Sequence, residues 1–564
     1  MDRNTILAIV LSLVVLLGWM YFTSPKKGGR TPVPTPRVTA TAQPAPAVGQ
    51  PGAPAVSAVA DGTEVAGVAG TGVVAAAAAQ PVLGAQEFAV LSNGLVSYTF
   101  SSYGGGIHDI VLHRTPEVQR GPITSLRAAG AAGRVPFVFE KLGAVPLNIY
   151  ELGIAELTQS ALAYTGMIGG GVHVTKRYEL EGYLVRGTIS VRNTGAQALA
   201  LANQFGIWLG SIERESAKPD KNAPRSVDVH RLKPDGSSGP LERKNAGKDG
   251  LIPGPVEWLA VRNKYFAHLL VPDAPALSAT IMSYGPKEDK NIAAYATFAA
   301  NDVPPGGTYT WRATLYAGPK SHDQLAALGK LIGRGSEYTK LLNLGMFWFL
   351  ALPILVYGLK GLMKIVGSYG LAIIILTTII KIITWPLTTK SFRSMKEMQR
   401  IQPELKALQE KHKGDPRQLQ QETMLLYRKH GVNPFGGCLP MLLQIPVFFA
   451  LYAALNNAIE LWGASFLWIK DLSQPDTVAT IPFSIPFLGN GVNPLAIVMG
   501  AAMIGQQMMS PSTGDKSQQQ MMYLMPVIFM VMFYNMPSGL VLYWLVNQLL
   551  TMAQMGYLNY LKKG

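Results

Sequence analysis

Tyr369-Gly-Leu-Ala-Ile-Ile-Ile-Leu-Thr-Thr-Ile-Ile-Lys-Ile-Ile-Thr-Trp-Pro-Leu387 decides how this chain is read. The run is apolar on every side of a helix, with one charge, Lys381. A helix with no polar face needs an apolar solvent around it, and a bilayer core takes about 20 such residues. At 1.5 Å per residue, Lys381 lies about 18 Å from Tyr369 and about 9 Å from Leu387, inside the hydrocarbon. A charge there costs at least a few kcal/mol unless it meets water or a partner, which makes it a functional candidate by default. The alternative is a lysine that snorkels its ammonium to the interface.

Four more apolar runs follow: Leu439 to Ile459, Asn493 to Met509, Met521 to Met536 and Ser538 to Tyr560, the last two joined by a tight turn around Asn535-Met-Pro-Ser538. None of the five holds an acidic residue inside its apolar stretch; Glu460 stands at an edge. Lys381 therefore has no evident counter-ion, which implies a wet cavity open to the cytoplasm. Gln444, Asn456, Asn457, Gln506, Gln507, Asn547, Gln548 and Gln554 either line it or, for most of them, bond helix to helix. Twelve of the 22 methionines fall between Met499 and Met555. They suit either a surface that greets varied apolar partners or a loosely specified core.

Loop charges orient the spans. Residues 388–434 carry ten basic side chains, among them Lys390, Arg393, Lys396 and Arg400, whereas Trp462 to Val492 has only Lys470, and the tail ends in Lys562-Lys563. The basic loop and the tail belong in the cytoplasm. Met398, Ile401, Leu405 and Leu408 mark one helix face, with Pro403 kinking it or fixing its start. Asp415-Pro416 with Gln418 reads as a helix start that runs to about His430 and stops at Gly431. The pair forms a helical hairpin.

Towards the N-terminus, Phe347 to Val366 carries Pro353 and the pair Lys360 and Lys364; it reads as an interfacial amphipathic helix, with a full span as the alternative. Ala85 to about Pro319 alternates in short β-type runs, such as Leu95–Phe100, Val172–Tyr178, Leu184–Val191 and Thr308–Tyr316. Asn93-Gly94, Asn193-Thr-Gly195 and Pro304-Pro-Gly-Gly307 punctuate them, which indicates a β-sandwich. Trp258, Tyr265 and Phe266 are read as its core rather than a sugar site. Residues 24–84 are rich in Pro, Ala, Gly and Val and form a tether. Ile6 to Phe22 is read as an uncleaved span, with a signal peptide as the alternative; Lys26, Lys27 and Arg30 after it must be placed outside.

The resulting division is a 1–23 anchor, a 24–84 linker, an 85–320 β-sandwich domain, 321–368 connecting and interfacial helices, and a 369–564 five-helix core with a hairpin at 388–434. The fold class is an α-helical polytopic membrane protein of about six spans. Both termini lie in the cytoplasm and the β domain in the periplasm.

Composition narrows the chemistry. Of 564 residues 48% are hydrophobic and 15% charged. The net charge of +15 is better read as loop charge than as a nucleic-acid surface. A lone cysteine, Cys438, excludes an intrachain disulfide and a site built on Cys pairs. No catalytic motif, metal-ligand spacing or cofactor motif is present. A secondary transporter using Lys381 would show repeated halves, and none is seen. A periplasmic binding module on an anchor would leave five spans unexplained.

Pro386-Leu387-Thr388, Asn433-Pro-Phe-Gly-Gly-Cys-Leu-Pro440 with Gln444-Ile-Pro446, Met509-Ser-Pro511, Met525-Pro-Val-Ile-Phe529 and Pro537-Ser-Gly-Leu-Val-Leu-Tyr543 resemble the YidC family of membrane protein insertases. The resemblance implies a hydrophilic groove open to cytoplasm and lipid and closed to the periplasm. Lys381 would be the groove cation, where the family usually has arginine, and Gln507 a polar groove position. Thr377, Tyr543 and Trp544 would be slide positions for the substrate helix. It further implies nascent membrane proteins as substrates, the Sec translocon, the ribosome and the lipid bilayer as partners, an inner-membrane location, and no enzymatic reaction.

Overall fold

The computed structural model describes residues 85–113, 115, 123–127, 151–168, 171–201, 204–210, 212, 225–285, 290–333, 337–412, 414–431, 439–509 and 516–560. The N-terminal apolar run, the tether, the Asn433–Cys438 part of the motif, Ser510-Pro511 and the C-terminal lysines lie outside them.

The first part is β-rich. Strands Phe88–Ser92, Val96–Ser101, Gly106–Leu112 and Ile123–Arg127 form a four-stranded antiparallel sheet. Asn93 sets its first turn, its side-chain oxygen accepting from the amides of Leu95 and Val96. This sheet packs on a twelve-stranded one. The Phe100 ring lies 4.6 Å from that of Tyr178, the Tyr98 hydroxyl donates to the Tyr183 carbonyl, and the buried Lys176 donates to the Gly104 carbonyl.

The large sheet begins as an antiparallel meander through Gly153–Leu157, Ala161–Met167, Val172–Glu181 and Leu184–Asn193. Thr308–Pro319 returns beside the last of these, in register from Thr308 opposite Arg192 to Tyr316 opposite Leu184. The strands are longer than the sequence alternation suggests. Gly250–Arg262 runs for 13 residues because irregularities at Pro253 and Val256 let its two halves pair with different neighbours. Trp258 is fully buried, stacked on His230, and so belongs to the core.

Helix α1 (His322–Ile332) is capped by the Ser321 hydroxyl, ends at Gly333 in the left-handed conformation, and is followed by a 3-10 turn at Glu337–Leu342. Helix α2 (Trp348–Val366) widens into a π-helical segment after Pro353, whose missing N–H breaks the regular ladder, and stops at Gly367. The remaining helices are α3 (Tyr369–Arg400), α4 (Gln402–Lys411), α5 (Pro416–Lys429), α6 (Leu439–Asn457), α7 (Pro494–Met509), α8 (Lys516–Phe533) and α9 (Ser538–Tyr560). Among the described residues, α2 and α3 are long and apolar enough to cross a membrane by length and composition, and Pro494–Met509 and Leu524–Phe533 are shorter apolar helices.

Met398, Ile401, Leu405 and Leu408 do not share one helix face: α3 ends at Arg400 and α4 begins at Gln402. The run beginning at Tyr369 does not end as a helix near Leu387; α3 continues for 32 residues, about 48 Å at the standard rise. Hydropathy falls after Leu387, but Thr388–Arg400 is full of helix formers and nothing there stops the ladder. Pro403 sits in the first turn of α4, where a missing N–H is harmless. Asp415 caps α5 by accepting from the amides of Arg417 and Gln418, Gly431 follows with positive φ, and His430 pairs with Glu404 of α4 at 3.1 Å.

The segment between α6 and α7 folds over the α8–α9 turn. The Ser538 and Gly539 amides donate to the carbonyls of Gln474 and Leu472, and Asn493 donates to the Tyr534 carbonyl. Gly370 permits a close approach, because a Cβ there would overlap the Phe466 ring.

Contacts join the β domain, the connecting helix α1 and the later helices. Tyr265 and Phe266 meet the Trp462 ring at 5.8 and 5.5 Å. Lys360 of α2 reaches Asp323 of α1 at 2.6 Å and the buried Glu460, just beyond α6, at 3.3 Å. Lys360 thus faces two acids rather than only lipid headgroups.

Candidate functional site

Lys381 sits on α3 where that helix packs against α9. Only 6% of its surface is exposed, and its Nζ donates to Thr551 Oγ1 at 2.7 Å. The Thr551 hydroxyl donates in turn to the Asn547 carbonyl at 2.6 Å, which turns its lone pairs towards the ammonium. Among the described residues no carboxylate lies within ion-pair distance of Lys381. The sequence reading therefore needs one change. Among the described residues the lysine has no counter-ion, but its immediate partner is a hydroxyl, not only the water of an open cavity.

About two turns further along α3, Thr388 meets Gln554 of α9, which is fully buried. Its Nε2 donates to the hydroxyls of Thr388 and Thr389 at 2.9 Å each, and its Oε1 accepts from Thr388. The α3–α9 contact is thus a polar ladder. Lys381, Thr384 and Thr388 recur at three–four spacing on α3, and Asn547, Thr551 and Gln554 do so on α9. That paired periodicity is the signal by which Thr551 and Thr388 were open to discovery. Threonine alone is inconspicuous because it bonds its own helix. Thr377, Thr378 and Thr384 donate to the carbonyls of Ile373, Ile374 and Ile380, each four residues back, and the Thr384 carbonyl is the alternative acceptor for Thr388.

The other candidates occupy different surroundings. Thr377 is buried one turn before Lys381, its hydroxyl spent on Ile373. Tyr543 is buried, and its hydroxyl accepts from Gln444 of α6 at 2.6 Å. Its neighbour Trp544 stands in an aromatic cluster with Phe448, Phe529 and Phe533 at 5.2, 5.8 and 5.3 Å, and its buried indole N–H has no hydrogen-bond partner among the described residues. Gln507 is half-buried on α7 and does not contact Lys381 directly among the described hydrogen bonds. Gly505 of α7 faces Met552, next to Thr551, so α7 and α3 flank the same stretch of α9. Gln444 and Gln554 serve as bonds between helices. Asn457 instead donates to Ala453 in its own helix.

Beyond the apolar part of α3, Lys390, Arg393, Lys396 and Arg400 follow at three–four spacing, a basic face continuous with the helix that carries Lys381.

A bundle of apolar helices around a buried, hydroxyl-held lysine, joined to a β-rich domain, defines a class: a helical membrane protein with a polar site between its helices and no catalytic constellation at that site. The sequence model described as 60Kd inner membrane protein matches residues 361–563, and that described as YidC periplasmic domain matches residues 153–357. The chain belongs to the YidC family of membrane protein insertases. A membrane protein insertase YidC of Pelobacter propionicus is 34% identical over 583 residues, covering 99% of each chain. One of Syntrophobacter fumaroxidans is 38% identical over 402 residues, 71% of this chain and 70% of the relative. Among solved structures, YidC from Thermotoga maritima aligns over 84% of this chain and 98% of its own, with 16% identity and a TM-score of 0.29.

Proposed function

We propose that this chain moves transmembrane segments of newly made proteins from the cytoplasm into the inner membrane along the α3–α9 face, with Lys381 as the cation that receives acidic parts of the translocated segment. The observation that carries the reading is the Lys381–Thr551 contact, a buried cation held by a hydroxyl between two apolar helices. An intramembrane cation costs about 2.5–3.5 kcal/mol on insertion scales. A single hydroxyl offsets part of that and leaves Nζ with further donors. A substrate carboxylate would replace the hydroxyl with a charge-assisted bond, roughly twice as strong as a neutral one. Lysine serves as a compact point charge, without the planar fork of arginine.

In this reading α3, α6, α7, α8 and α9 are five spans, and Ile6 to Phe22 supplies a sixth. The basic face after Lys390 marks the cytoplasmic side. Both termini then lie in the cytoplasm, the β domain in the periplasm, and α4 with α5 forms a cytoplasmic hairpin that receives the ribosome, the Sec translocon or the substrate. Thr377, Tyr543 and Trp544 form the slide, and Gln507 flanks the groove. The aromatic cluster around Trp544 supports an apolar path for the substrate helix.

Photocrosslinking tests the path. A crosslinker at Trp544 or Gln507 should capture an arrested nascent membrane segment, whereas one at Ile383, exposed on α3, should capture mainly lipid. Equal capture at all three would leave the groove without support.

A further inference from the structure

The segment before α7 forms a two-stranded hairpin, Ala479–Ile485 with Gly489–Val492. It presents large apolar side chains to the outside. Phe483 is 63% and Phe487 88% exposed, and Ile485 is exposed with them. Phe483 and Ile485 share one face by the period of two. Phe487 stands at the turn with φ 68°, a conformation a bulky residue rarely adopts. The side chain of Asn535, in the α8–α9 turn, donates to its carbonyl.

The exposed face has company. Leu467 and Trp468 are exposed on the preceding loop. The Trp468 indole N–H donates to Asp476, and the same carboxylate oxygen accepts from the Leu495 amide in the first turn of α7. Trp468 and the hairpin are therefore both fixed at the end of the bundle where α7 begins. Ile497, Val498 and Ile504 continue an exposed apolar surface down α7.

We propose that this hairpin is a lipid-surface anchor: Phe483, Ile485 and Phe487, together with Leu467 and Trp468, enter the boundary between headgroups and acyl chains on the side of the membrane where α7 begins. The proposal rests on the reading that α7 to α9 cross the bilayer. Three observations select lipid over a protein partner. From Thr477 to Val492 the hairpin has no charged residue, so the hairpin itself offers no charge complementarity, and the exposed Lys470 beside Trp468 suits a headgroup. Pro482 removes a backbone donor from the first strand and Pro486 one from the turn, which disfavours addition of a partner strand. The apolar surface is also continuous with the outward face of α7. Tryptophan with a satisfied N–H and phenylalanine are side chains suited to an interface. The hairpin's open backbone groups hold it at the shallow, hydrated level, because they would go unsatisfied deeper in the hydrocarbon.

The test uses the full chain with Cys438→Ser, carrying one nitroxide label in each of three variants, Phe487→Cys, Ile497→Cys and Asp235→Cys, reconstituted in phosphatidylcholine–phosphatidylglycerol vesicles. Collision with oxygen, which partitions into lipid, is compared with collision with a water-soluble nickel chelate. The expected oxygen-to-nickel ratio at position 487 is several-fold above that at 235, an exposed position of the β domain, and below that at 497. A repeat at Phe483→Cys guards against a local effect of one substitution. A ratio at 487 equal to that at 235, with 497 high, places the hairpin in water and overturns the anchor alone. Low access to both reagents at 487 means a protein covers it, a second copy or another chain, and also overturns it. A low ratio at 497 overturns the spanning reading and the anchor with it.

Discussion

Replacing Thr551 by valine keeps the shape of the side chain and removes the acceptor 2.7 Å from Lys381 Nζ. The geometry indicates what this should cost. The Thr551 proton is committed to the Asn547 carbonyl, so the hydroxyl acts towards the lysine purely as an acceptor. Hydrogen bonds to charged groups contribute about 1.5–3 kcal/mol in soluble proteins. Measured couplings between bilayer helices average about 0.6 and reach about 1.7 kcal/mol. A charged donor within a bilayer helix contact should fall near the top of the second range, so the Lys381–Thr551 coupling is expected at about 1–2 kcal/mol. The assay is a double-mutant cycle with Lys381→Met, Thr551→Val and the double variant, scored by reversible unfolding in mixed micelles. Thr551→Val should destabilise the chain that keeps Lys381 and cost less, by the coupling, in the Lys381→Met background. Additivity within about 0.3–0.5 kcal/mol, the scatter of independent sites, would mean the hydroxyl does not hold the lysine and would refute the reasoning.

Gln554→Leu removes the bonds to Thr388 and Thr389; because threonine falls back on its own helix, the expected loss is about 1 kcal/mol, read by thermal unfolding. Lys360→Met strips the buried Glu460 and Asp323 of a shared cation. It should cost about 3 kcal/mol, the lower end for breaking a buried pair, since Asp323 stays hydrated, and Lys360→Met with Glu460→Gln should recover part of it. His268, buried in the β domain, is held down to about 3 from 6.5 by desolvation. The unfolded chain binds that proton between pH 6.5 and 3 while the folded domain does not, so stability falls as pH is lowered through this window. Denaturant titrations across it should show the slope, and His268→Gln should flatten it.

What the sequence disclosed follows from range. The apolar runs, the turn at Asn535–Ser538, the Asp415 cap and the stop at Gly431 are local patterns, and the helices and caps fall where those patterns stand. Strands at Leu184–Asn193 and Thr308–Pro319 are readable from alternation, but their pairing across more than 100 residues is not. The far end of α3 is not legible in hydropathy, which reports the solvent of a helix, not its length. Lys381 stood out because a charge in an apolar run is conspicuous. Its partner did not, because one threonine among several says nothing until the facing helix is known. Lys360 shows in the sequence only its spacing to Lys364, a local relation, whereas Asp323 and Glu460 are 37 and 100 residues away and invisible to periodicity.

The central claim is insertion through a site organised by Lys381. The most direct measurement reconstitutes the full chain in liposomes, supplies a small newly made membrane protein with a short acidic translocated segment, and scores protease protection. The account predicts protection that requires the protein and drops with Lys381→Ala, with a much smaller drop for a substrate whose translocated segment is neutral. Full protection with Lys381→Ala, or an equal loss for acidic and neutral segments, would contradict it.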